Sequence, residues 1–72
     1  MSPATLEGAA SAKAKLMEML EGRVEVGAIG IAILDGGFAV KVNLLRPADP
    51  PIPAEVDRVP VIVELTGGIS PL

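Results

Sequence analysis

Seventy-two residues with no histidine, no cysteine and one aromatic side chain, Phe38, leave room for a single small aliphatic core. They exclude a Ser-His-Asp or Cys-His triad, a disulfide framework and a thiolate metal site. The six basic residues, against nine acidic ones for a net charge of -3, are scattered along the chain, which argues against nucleic acid as a partner. No apolar run approaches the roughly 20 residues of a membrane span, and no basic segment precedes an apolar block, so a cytoplasmic protein without a membrane partner is expected.

From the start of the chain, Ser2-Pro3 reads as an N-cap followed by proline at the first helical position. The alanine-rich run behind it predicts a helix over 3–21. Leu6, Ala9 or Ala10, Leu16 or Met17, and Leu20 recur at three- and four-residue intervals and form its apolar stripe, with the paired methionines as core filler. Gly22 is the expected C′ residue. Lys13, Lys15, Glu18 and Glu21 fall away from most of that stripe, and Lys15 with Glu18 has the spacing of a weak surface pair.

Val24 to Leu45 carries the strongest local signal, two apolar strands over 24–34 and 38–45 folded back at Asp35-Gly36-Gly37. A two-residue turn, Gly36-Gly37 or Asp35-Gly36, puts Ile29, Ile31 and Ile33 on one face with Phe38, Val40, Val42 and Leu44. The opposite face then carries Val26, Ala28, Gly30, Ala32 and Leu34 beside Ala39, Lys41, Asn43 and Leu45. A three-residue turn sets the isoleucines beside Lys41 and Asn43 and leaves no clean apolar face. The isoleucine face is therefore expected to receive the helix.

Four prolines in Pro47-Ala48-Asp49-Pro50-Pro51-Ile52-Pro53 predict an extended connector over 46–58 that leaves the sheet. Its Pro47-x-x-Pro50 spacing lacks the flanking basic pattern of a ligand for aromatic-grooved domains. Residues 53–57 have room for one helical turn, with Pro53 at its start. A third strand over 60–66 follows, with Val61, Val63 and Leu65 on one side and Ile62, Glu64 and Thr66 on the other. Pro60 belongs at its first residue or on an edge, because proline has no N–H for a ladder. A return of this length suits a crossover, so the strand is expected parallel to the second. The expected fold is a single α+β domain over 1–72, an N-terminal helix packed on a three-stranded mixed sheet in the order α-β-β-crossover-β.

Asp35, Asp49, Glu55 and Asp57 are the carboxylates with any prospect of converging, yet nothing in their spacing requires it. Gly27 and Gly30 give G-x-x-G without a following helix or a Lys-Ser/Thr ending; a close approach or a bulge accounts for them better than a phosphate loop. No catalytic, metal-binding or cofactor-binding residue is assigned.

Val26-Gly27-Ala28-Ile29-Gly30-Ile31, Ala39-Val40-Lys41-Val42 and the block from Ile52 to Gly67 resemble a segment of uncharacterised bacterial proteins. It occurs there alone or ahead of trypsin-like protease domains. The resemblance covers roughly residues 24 to 69, with Arg58 where that family usually has glycine, and it implies an accessory or stand-alone module. Without histidine the chain inherits no protease activity. The small core, apolar residues on both sheet faces and an unprotected sheet edge point to a non-catalytic protein-interaction or self-association module. A homodimer through a sheet edge or the small-residue face is the expected assembly. A peptidase inhibitor or propeptide-like accessory domain, using the apolar tail Ile69-Ser70-Pro71-Leu72, is the alternative.

Overall fold

Leu34 and Gly37 stand directly opposite each other at the end of the central hairpin, which leaves Asp35 and Gly36 as its two-residue turn, with φ of 50° and 79°. Both values lie in the left-handed region that a type I′ turn requires, and the twist of that turn matches the twist of the strands it joins. The computed structural model describes residues 4–48 and 50–65. It contains a helix α1 (Leu6–Met19) and strands β1 (Val26–Leu34), β2 (Gly37–Leu44), β3 (Glu55–Val56) and β4 (Val59–Leu65). The fold is α+β, one helix packed on one face of a mixed sheet in the order β1-β2-β4-β3.

β2 lies antiparallel to β1 and parallel to β4, so the crossover expected for the proline-rich connector is present. Among the described residues the sheet has four strands where three were expected. Residues 53–57 form no helical turn; Glu55–Val56 is β3, which pairs back on β4 through Val56 opposite Val59. The β-branched Val56 is buried against the core there, a burial that one solvent-exposed helical turn would forgo. Asp57 and Arg58 turn this second hairpin at φ of 50° and 67°, a left-handed pair without glycine.

Helix α1 starts later and ends earlier than 3–21. Thr5 is the N-cap, extended in its backbone, and its Oγ1 accepts from the Gly8 N–H at 3.0 Å. The Ser2-Pro3 start lies outside the described residues. The helix closes on Leu20, and Gly22, at φ 83°, sits one residue beyond the C′ position expected for it. Its buried stripe is Ala9, Ala12, Leu16 and Leu20, and the two alanines let the helix backbone approach the sheet closely. Met17 and Met19, expected as core filler, are exposed because they flank that stripe. Lys15 pairs with Asp57 across the fold rather than with Glu18 along the helix.

The core joins that stripe to Val40, Val42 and Leu44 of the central strand, with Val56 and Val59 at the far side. Ile29 stands opposite Val42, Ile31 opposite Val40 and Ile33 opposite Phe38, so the expected face is the one the helix covers. Cover is incomplete, however. Ile31 is 37% exposed and Ile33 76%, because β1 is the outermost strand and the helix sits mainly over β2. Val26 also departs from expectation. The register slips between Val26 and Ala28, so Gly27 is an extra, bulged residue and Val26 turns over to join the core with Leu44. A Cβ on Gly27 would lie 3.0 Å from Leu45 Cδ2, which shows how closely the bulge packs.

Further hydrogen bonds tie the irregular segments down. The Phe38 N–H points to the side where pairing with β4 has not yet begun and donates to the Ala4 carbonyl at 3.0 Å. Arg23 bonds Glu25 through its Nε at 2.8 Å and donates from Nη2 to the Pro50 carbonyl at 2.6 Å, which pins the connector beside the entry to β1. Pro60 is the second residue of β4, and its position suits a missing N–H. Val61 donates to Ala54 on the β3 side, so residue 60 faces β2, whose pairing with β4 begins only at Val61.

Candidate functional site

The hairpin register decides which backbone groups of β1 are used. In a two-residue hairpin the closing pair, here Leu34 and Gly37, exchanges both hydrogen bonds, so Leu34, Ala32, Gly30 and Ala28 direct their N–H and C=O groups to β2. Ile33, Ile31 and Ile29 direct theirs outward. Because β1 is terminal in the sheet, these outward groups meet no strand among the described residues. The edge is nine residues long, Val-Gly-Ala-Ile-Gly-Ile-Ala-Ile-Leu, without a charge or a proline. Natural sheets commonly blunt such an edge with lysine, proline or a cover; here, among the described residues, only the bulge at Gly27 interrupts it.

The opposite edge of the sheet is different. β3 covers the first part of β4, and the second part, with exposed Val63 and Leu65, carries Glu64 between them. The uncovered sheet face keeps Leu34 and Leu45 exposed but has lost Val26 to the core. Ala39 is fully buried, and Lys41 and Glu64 pair at 2.8 Å across that face. The β1 edge is thus the longest stretch of unpaired, uncharged backbone among the described residues.

The helix adds to it. At about 100° per residue, the buried stripe of α1 separates one flank carrying Leu6, Ala10, Lys13 and Met17 from another carrying Gly8, Lys15 and Met19. Lys15 reaches Asp57 in the β3–β4 turn, and a Cβ on Gly8 would lie 4.0 Å from Val59, so the second flank faces β4. The first flank therefore faces β1. Leu6 is 54% and Met17 51% exposed on it, beside the exposed Ile31 and Ile33. Sheet edge and helix flank together make one apolar border on the molecule.

Among the described residues nothing comparable gathers acid groups. Asp35 turns the first hairpin and Asp57 the second, Glu55 is exposed, and Asp49 lies outside the described residues. No group of three His, Cys, Asp or Glu side chains is found among the described residues. The tail 69–72 and the end of the third expected strand, Thr66, also lie outside them. No helix among the described residues is long and apolar enough to cross a membrane. No family model, no curated protein and no solved structure matches the chain.

Proposed function

We propose that this chain is a non-catalytic protein-interaction module that receives an extended strand on the open edge of β1. The observation that carries the reading is the run of outward N–H and C=O groups on Ile29, Ile31 and Ile33, next to exposed Ile33, Leu6 and Met17. An added strand would satisfy those groups by the same pairing that joins β1 to β2, while the isoleucines and the helix flank would hold its side chains. Main-chain bonds supply attraction in this mode, and side-chain fit supplies selectivity. Acid–base or metal chemistry plays no part in it.

The test uses an extended probe peptide of alternating valine and threonine, flanked by lysines for solubility, titrated into isotope-labelled protein at a concentration where the mass is monomeric. Amide signals of Ile29, Ile31 and Ile33 should shift and their hydrogen exchange should slow. Ala28, Gly30 and Ala32, already bonded to β2, should change little. Perturbation confined to Lys41, Asn43 and Ile62 on the uncovered face would overturn the reading.

A further inference from the structure

We propose that the strand received by β1 is β1 of a second copy, paired antiparallel about a twofold axis at Ile31; this rests on the strand-addition reading above. Such an axis requires a strand that complements its own reverse. The regular part of the edge runs from Ala28, just past the bulge, to Leu34, where the turn begins, and Ile31 is its midpoint. Rotation about Ile31 sets Ile31 against its own mate and Ile29 against Ile33 of the partner. All three outward-directed isoleucines then find partners, and every one of these pairs is of the hydrogen-bonded kind. No like charges meet, because β1 contains none.

The side chains agree with that axis. The helix runs antiparallel to β1, since the Ala4 carbonyl lies against Phe38 at the hairpin end and only residues 20–25 separate the helix from the start of β1. A twofold axis through the joined sheet keeps both helices on one face and sets them antiparallel over the seam. Their β1-facing flanks then meet, with Leu6 of one copy toward Met17 of the other and the small Ala10 near the crossing. The exposed Ile33 comes to lie beside Ile29 of the other copy, covered where it was wet. Of the charged residues of α1 only Lys13 lies on this flank. The result is a continuous sheet in the order β3-β4-β2-β1-β1-β2-β4-β3 with two helices on one side and no open β1 edge.

Mass measured by light scattering or sedimentation from micromolar to millimolar protein tests this directly. The wild-type chain should pass from 7.3 kDa to twice that value, with the amides of Ile29, Ile31 and Ile33 gaining protection as it does. Ile33→Pro removes an outward N–H and an exposed side chain while sparing the β1–β2 ladder, so it should stay at 7.3 kDa with an unchanged circular dichroism spectrum. If that variant unfolds, Ile33→Lys takes its place with the same expected result. The chain has no cysteine, so Ile31→Cys in mild oxidant reports the axis: it should cross-link to itself far faster than Lys41→Cys. A monomeric wild-type mass throughout overturns the second-copy inference, and peptide binding at the β1 amides would then still support strand addition. A dimer that survives the Ile33 variants but separates in Ala32→Lys overturns it as well, in favour of the uncovered face.

Discussion

Arg58 is the residue most at odds with its backbone. It holds a φ of 67° in a turn whose twin, Asp35-Gly36, places glycine at the same position. A side chain in the left-handed region costs roughly 1 to 2 kcal/mol, part of which glycine gives back through its freer unfolded chain. Arg58→Gly should therefore stabilise the fold by about 0.5 to 1 kcal/mol, read as a higher urea midpoint at unchanged slope. Gly30 offers the reverse test, because its backbone is not left-handed and a Cβ there would meet nothing within 4 Å. Gly30→Ala should stabilise by about 0.4 to 1 kcal/mol through the unfolded state alone. Loss of stability on either substitution would contradict the turn and strand geometry described here. The two glycines of G-x-x-G were alike in the sequence, yet only Gly27 is a bulge. Which one bulges depends on how Glu25 and Leu45 close the hairpin, with the Leu45 N–H bonded to the Glu25 carbonyl at 2.7 Å, and that is a pairing the local sequence does not contain.

At the scale of elements, the hairpin and the parallel return were legible because their signals are local or follow from chain length. Asp-Gly between two apolar runs specifies a tight turn, and a connector of a dozen residues permits a crossover. The start of α1 was not legible, because Ser2 and Thr5 are both capping residues and the choice rests on where Ala4 must go. Its carbonyl is taken by the Phe38 N–H, which holds residue 4 against the sheet and outside the helix. Thr5→Ala should accordingly cost about 1 kcal/mol, whereas a helix capped at Ser2 would be indifferent to it; denaturant unfolding separates the two. β3 was missed for a related reason. A strand of two residues has no periodicity, and its turn, Asp57-Arg58, carries no glycine to announce it. Core truncation ranks the elements: Leu16→Ala, fully buried, should cost about 2 to 5 kcal/mol, and Ile31→Ala markedly less in the monomer because Ile31 is partly exposed. Equal losses would mean that the helix covers more of β1 than the structure places beneath it.

For the whole molecule, the apolar surface that composition demanded is present, but most of it lies along an edge, with Leu34 and Leu45 exposed on the uncovered face. Sequence alternation assigns residues to faces and cannot say which strand is terminal, so Ile31 and Ile33 read as core until the order β1-β2-β4-β3 placed them at the rim. A thin core of valine, leucine and alanine under α1 is near the size at which one domain barely offsets its chain entropy. Pairing through β1 then has a thermodynamic signature. Dimerisation stabilises only the folded state, so each tenfold rise in protein concentration above the dissociation constant adds about 1.4 kcal/mol per dimer, or about 0.7 kcal/mol per subunit. For a domain of this size that corresponds to a rise in Tm of roughly 3 to 6 °C per decade. Ile33→Pro, unable to pair, should melt at one temperature at every concentration, and its curve should meet the wild-type curve at high dilution. Calorimetry over two decades of concentration checks both: a wild-type Tm that does not move, or one that moves equally in the variant, would show that edge pairing contributes nothing to the stability of the folded chain.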